Sequence, residues 1–303
     1  MTAVFVNGAF VEAGDAMVSA FDAGLTHGVG LFETMAGGMG EDGEPEVARL
    51  HDHLDRLAAS AKQLRLSDDL RKSALAEAVL RTVERCGLAR QRVRLAVTGG
   101  DLNLLASARG DASAGGGRNG GHDPAVIISA QEATAYPDAM FERGVRVAIA
   151  DAKANPFDPT ASHKTLNYWW RLSALRDAAA KGAAEALVFQ VTNHLCGGCV
   201  SSAFVVKDGA LFTPIARGEE AQGALPSPVL PGITRGAVID AARELGIEFT
   251  ARMLTIDDVL GADEVFLTNS SWGVLPVVAV EASEVGAGAV GEVTAALRRS
   301  IVG

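Results

Sequence analysis

Leu54, Leu57, Ala61 and Leu64 recur at helical spacing, and this predicts an amphipathic helix over 51–66 with one buried face. Ahead of it, Val4-Phe5-Val6 and Phe10-Val11 flank Asn7-Gly8, a pair that favours a tight type I′ turn, so the chain opens on a β-hairpin. Ser67-Asp68-Asp69 offers capping side chains for a second helix that runs to Cys86 and stops at Gly87. Residues 32–34, 93–98 and 126–129 read as strands. Residues 109–123 are Gly-rich and polar, the composition of a surface loop, and lack the Gly-Lys-Ser/Thr ending of a phosphate-cradling loop.

From residue 138 onward the pattern alternates. A strand over 145–150 gives way to the irregular run Asn155-Pro156-Phe157-Asp158-Pro159, which leads to Lys164 and a helix over 167–180 that stops at Gly182. Strands follow at 186–191 and 203–207, and Asp208-Gly209 turns the chain into Leu211-Phe212. A proline-rich break at 226–232 precedes a helix starting near Ile233-Thr234, and Val265-Phe266-Leu267 forms a strand ending in the polar run Thr268-Asn269-Ser270-Ser271. This mixed order, without repeats, predicts an α+β fold in two domains: an N-terminal α/β domain over 1–130, a linker at 131–137, and a C-terminal domain over 138–303 that carries Lys164.

Composition narrows the function. With 37 acidic against 27 basic residues and a net charge of −10, the chain has no use for a basic nucleic-acid face. No apolar run reaches the roughly 18 residues of a membrane span, and no basic segment precedes an apolar core at the N-terminus, so neither membrane nor signal peptide is expected. Three cysteines (Cys86, Cys196, Cys199) cannot build a disulfide framework, which points to a reducing cytoplasm.

Lys164 is the first candidate for chemistry. In Ser162-His163-Lys164-Thr165-Leu166-Asn167-Tyr168 it stands between a proline-rich loop and an apolar helical stretch, a place for a buried amine able to form a Schiff base with a carbonyl cofactor. Gly232-Ile233-Thr234-Arg235 opens a helix, where free amides, the helix dipole and the Thr234 hydroxyl make an anion site. Thr268 to Ser271 add further donors, and Arg56 adds positive charge. Cys196-Gly197-Gly198-Cys199 has redox or metal spacing, but it lacks a second ligand pair and the helix start a thioredoxin-like site needs, so small residues packed near a ligand explain it better.

Taken in order, these segments resemble the class IV aminotransferases, fold-type IV enzymes that use pyridoxal 5′-phosphate. The family includes branched-chain and D-amino-acid aminotransferases and 4-amino-4-deoxychorismate lyase. The likeness runs through Val18 to Asp22, Gly28 to Thr34, His53-Leu54-Asp55-Arg56-Leu57, Lys164 to Tyr168, Lys207-Asp208-Gly209, Leu230 to Arg235 and Ala262-Asp263-Glu264. It implies a D-amino-acid aminotransferase-like fold with the cofactor site between two domains, and a homodimer acting on a small amino substrate. It further implies that Lys164 forms the Schiff base and moves protons, and that Arg56, the Ile233 and Thr234 amides, the Thr234 hydroxyl and Ser270 hold the phosphate. Leu230 would pack against the ring. Arg94 and Arg109 lie in regions where the likeness places carboxylate-binding arginines.

One position departs from the pattern. Where the family carries a glutamate for the protonated pyridine nitrogen this chain has Gly197, and Ser202 replaces the following Asn. A neutral ring is a weaker electron sink. That favours an elimination assisted by its leaving group over transamination, so the expected function is 4-amino-4-deoxychorismate lyase, releasing 4-aminobenzoate and pyruvate on the folate route. The alternatives are a branched-chain or D-amino-acid aminotransferase with altered cofactor electronics, or a catalytically degenerate member. If the backbone is extended, Cys199 shares strand parity with Gly197 and becomes a candidate neutral partner for the ring nitrogen.

Overall fold

The computed structural model describes residues 2–101 and 124–302. Its chain forms two compact units, Met1–Thr134 with His163–Asn167, and Ala135–Ser162 with Tyr168–Gly303. The glycine-rich stretch 109–123, and Arg109 with it, lies outside the described residues.

Unit 1 is a six-stranded sheet in the order β2-β1-β6-β5-β3-β4, built from β1 (Ala3–Val6), β2 (Ala9–Val11), β3 (Gly30–Met39), β4 (Pro45–Val47), β5 (Gln91–Thr98) and β6 (Val126–Glu132). The β1–β2 hairpin turns at Asn7-Gly8. Strand alternation puts Leu31, Met35, Val93, Leu95, Val97, Ile128 and Ala130 on one face. There they meet Leu54, Leu57 and Ala61 of α1 (Leu50–Gln63) and Val79 and Val83 of α2 (Lys72–Cys86). Each of these leucines, stripped from water, contributes about 1.5–3 kcal/mol.

Two expectations change here. The run Ser67-Asp68-Asp69 does not cap α2, which starts at Lys72 after Arg71 with no side-chain cap. Leu66 and Ser67 instead donate their amides back to Ala61 O, so the run begins in the closing turn of α1. Also, β6 extends through Glu132, taking Gln131 and Glu132 out of the linker.

Lys164 changes unit as well. The sequence reading puts it in the C-terminal domain, but its backbone joins unit 1. The Phe32 amide donates to Lys164 O at 2.9 Å, the Leu166 amide donates to Gly30 O at 2.9 Å, and Thr165 bridges antiparallel to Leu31. A short strand-like segment distant in sequence thereby completes the edge of β3.

Unit 2 holds a nine-stranded mixed sheet in the order β12-β11-β10-β13-β14-β7-β8-β9, with β15 (Ser283–Glu284) on β14. Its strands are β7 (Val145–Ile149), β8 (Glu185–Phe189), β9 (Leu195–Gly198), β10 (Ser202–Lys207), β11 (Ala210–Thr213), β12 (Phe249–Ala251), β13 (Glu264–Asn269) and β14 (Gly273–Val280). Helix α3 (Trp169–Ala180) packs an alanine-rich face on β7 and β8. Helices α4 (Ile233–Glu244) and α5 (Glu292–Val302) cover Phe204 and Phe266, whose rings stack at 4.9 Å between centroids. Among the described residues no helix is long and apolar enough to cross a membrane.

Candidate active site

In unit 1 the chemistry gathers around Phe32 and Glu33 of β3. Lys164 is half-buried, not fully buried, and its Nζ stands 4.5 Å from the Phe32 ring centroid. The Arg94 guanidinium carbon lies 3.9 Å from the same ring. The preceding residue, His163, tethers this segment to α1 through Nδ1 and Ser60 Oγ, 2.9 Å apart.

Glu33 points to the helix side of the sheet, between Leu31 and Met35, and is 1% exposed. Arg56 of α1 grips it with two bonds, Nε to Oε1 at 2.9 Å and Nη2 to Oε2 at 2.5 Å, while His53 Nδ1 lies 2.7 Å from Oε2. Burial alone would raise the Glu33 carboxyl; the Arg56 charge and the bonds from His53 and Arg56 outweigh it and hold the acid down at about 2. For His53 the balance reverses. Burial, aided by the Arg56 and Lys164 charges, keeps the ring below its ordinary value despite the carboxylate beside it. His53 is therefore neutral at pH 7 and donates Nδ1–H to Glu33.

Arg56 is a candidate from the sequence; its pairing with Glu33 and His53 is not. Two signals in the sequence point to it: an acid inside the apolar alternation Leu31-x-Glu33-x-Met35, and His53 and Arg56 three residues apart on one helix face.

In unit 2, α4 begins at Ile233 with Gly232 at its N-cap and no side chain capping it. The first amides of a helix lack intrahelical acceptors, so the Ile233 and Thr234 N–H groups give this end a polarity that suits an anion. Thr234 Oγ1 and Ser270 Oγ are 3.5 Å apart, which brings the two predicted hydroxyls together beside it. A Cβ on Gly232 would overlap Ser202 Oγ, so glycine is what lets that strand residue close up on the helix end. Arg235 is turned away, bonded to Glu219 twice at 2.7 Å and to Pro214 O at 3.1 Å, and anchors the segment before the helix. Asn269 accepts from the Ser271 and Trp272 amides and donates to Val200 O, fixing the turn that carries Ser270. Leu230 is half-buried two residues before Gly232.

The expectation for Cys199 fails. β9 ends at Gly198 and Gly197 has φ +142°, so the regular extended backbone that parity requires does not run through to Cys199. Cys199 is 0% exposed and packs among the alanines of β7, β8 and α3. Burial pushes both the Cys196 and Cys199 thiols up to about 12, which leaves neither as a thiolate for redox chemistry. Among the described residues no group of three His, Cys, Asp or Glu side chains could hold a metal ion. The turn after β9 is organised by Glu185, wholly buried, which accepts from the Cys199 and Val200 amides at 3.2 Å and the Ser201 hydroxyl at 3.1 Å.

An uncapped helix end flanked by two hydroxyls suits a phosphate, and a lysine amine presented on an aromatic ring suits a carbonyl. Two mixed α+β units with these elements define a fold-type IV pyridoxal-phosphate enzyme. The chain belongs to the class IV aminotransferases: the model of that family, Amino-transferase class IV, matches residues 30–280. It is 30% identical over 304 residues to the branched-chain-amino-acid aminotransferase of Escherichia coli (strain K12), covering 99% of this chain and 92% of that one. The crystal structure of the T.th. branched-chain amino acid aminotransferase with pyridoxamine 5′-phosphate is similar at a TM-score of 0.85 and 28% identity, over 99% of this chain and 92% of that one. The 4-amino-4-deoxychorismate lyase of Pseudomonas aeruginosa is similar at 0.79 and 28% identity, over 98% of this chain and 97% of that one.

Proposed function

We propose that this pyridoxal-phosphate enzyme is an aminotransferase for a small amino acid, with branched-chain substrates the first to try. What carries the reading is its full-length likeness to branched-chain aminotransferases in both sequence and fold. That likeness moves the preference away from the lyase that the Gly197 argument alone favours.

Arg56, the Ile233 and Thr234 amides, the Thr234 hydroxyl and Ser270 are the proposed phosphate ligands, with Leu230 against the ring. Pyridoxal phosphate, once bound, would supply a carbonyl for amines and an electron sink for the charge left when a proton is removed. Lys164 Nζ is the amine that binds that carbonyl and the group that carries the substrate proton. Arg94, sharing the Phe32 ring with Lys164, is the proposed contact for a substrate carboxylate. A homodimer in the cytoplasm completes the reading; Met17, Phe21 and Leu25, 79, 71 and 69% exposed, are apolar surface that a second copy would cover.

The lyase is the second reading, supported by the missing acid at 197 and the likeness to the Pseudomonas aeruginosa enzyme. One pair of assays separates the two. Amino-group transfer from a branched-chain amino acid that depends strictly on a 2-oxo acid acceptor supports the aminotransferase. Pyruvate released from 4-amino-4-deoxychorismate without an acceptor supports the lyase. Borohydride treatment of the cofactor-loaded protein should attach the cofactor to the peptide containing Lys164. A protein that takes up no cofactor would be the degenerate member.

A further inference from the structure

We propose that Glu33 is a positioning residue, one that orients the Arg56 guanidinium, with His53 as its second anchor, to receive the cofactor phosphate. This rests on the reading that Arg56 is a phosphate ligand, and goes beyond it.

Glu33 is a carboxylate on the apolar face of β3, among Leu31, Met35 and the leucines of α1. Stability alone does not explain an acid there. A buried ion pair can often be replaced by apolar side chains of similar volume without loss, and the neighbours of Glu33 are residues of that kind. What an apolar side chain cannot do is hold a guanidinium by two of its donors. Glu33 engages Nε and Nη2 of Arg56 together, which fixes both the plane and the direction of the fork and leaves the Nη1 edge outside this pairing.

His53 sits one turn earlier on the same face of α1 and takes a place on Oε2, so the carboxylate itself cannot swing. The Arg56 side chain is only 10% exposed, so the clamp works largely away from bulk water, where it is stronger. A lysine-like point charge would gain little from such a clamp, whereas a planar fork gains direction from it.

The test compares pyridoxal 5′-phosphate with pyridoxal, which has no phosphate, on the full-length apoprotein by equilibrium dialysis. Wild-type protein should bind the phosphorylated form far more tightly. In Glu33→Gln, which keeps the shape and loses the charge, affinity for pyridoxal 5′-phosphate should drop about tenfold or more while affinity for pyridoxal stays put. Glu33→Ala should lose more, and inorganic phosphate should compete less well in both variants. Should Glu33→Ala fail to fold, the double variant Glu33→Gln/Arg56→Lys keeps the question answerable: a coupled pair loses less together than the sum of its single changes. Folded variants whose preference for the phosphorylated form matches wild type, or strict additivity in the double variant, would overturn the proposal. Wild-type protein that binds both forms equally sinks the Arg56 assignment itself, and the role of Glu33 falls with it.

Discussion

Gly197 has φ +142°, a backbone conformation that side chains rarely adopt, and a Cβ built there would lie 2.7 Å from Ser201 O. The missing acid is therefore written into the main chain as well as the side chain. Replacing Gly197 by Glu, the residue the family pattern expects, should not restore an ordinary site. It should cost about 1–3 kcal/mol from backbone strain alone, read as a lower urea midpoint at unchanged slope. A Gly197→Glu protein as stable as wild type, with faster transamination, would show that the turn yields easily and that a ring-nitrogen acid is tolerated. Residue by residue, the sequence makes visible what is local: Lys164 before its helix, Thr234 at a helix start, Ser270 after a strand. It hides what depends on distant pairing, since Glu33 meets His53 and Arg56 across 20 and 23 residues.

The turn joining β9 to β10 shows how much one buried side chain can organise at the scale of an element. Glu185, at the start of β8, takes two amides and a hydroxyl from residues 199–201 and holds the loop against its own strand. Glu185→Ala would leave those donors buried without an acceptor, at a cost of about 3 kcal/mol or more, and Glu185→Gln would lose roughly 1 kcal/mol because one acceptor oxygen remains. Urea unfolding checks both, and an Ala variant as stable as wild type would mean that water satisfies the loop. Elements with a clean period were legible: α1 from its leucines, β5 and β6 from their alternation, α4 from the proline-rich break before it. Among the elements that were not, two show a physical reason. β14 contains Pro276, which removes an amide and argues against a strand, yet it pairs with both β13 and β7, with a bulge just beyond the proline. β9 is four residues long, two of them glycine, and carries a slip in register, so no alternation survives to be read.

At the scale of the whole molecule, the buried titrating groups of the two units respond oppositely to acid. In unit 1, Glu33 is held at about 2 from an ordinary 4.5, so its stabilisation, on the order of 3 kcal/mol, is present above 4.5 and drains away as pH falls toward 2. His53 acts in the same direction and earlier. Its folded value lies below 6.5, so the unfolded chain takes that proton first and stability starts to fall once pH drops under 6.5. In unit 2, burial raises the Glu185 carboxyl, so the folded state takes its proton first and acid relieves that unit down to about 4.5. The depressed acids of unit 2 (Asp258 at about 2, with Glu219, Glu220 and Asp263) lie nearer the surface, where solvent screens their contribution. Unit 1 should therefore loosen first on acidification. All three tryptophans, Trp169, Trp170 and Trp272, belong to unit 2, so their fluorescence follows that unit alone, whereas far-UV circular dichroism follows both. An acid titration should show helix and sheet signal falling before tryptophan emission shifts, with the gap opening below pH 6.5. Glu33→Gln should move the first step toward neutral pH and leave the tryptophan step in place. Coincident curves in the wild-type protein, or a tryptophan step that moves with the Glu33 variant, would mean that the two units unfold as one and that the buried trio does not set the acid limit.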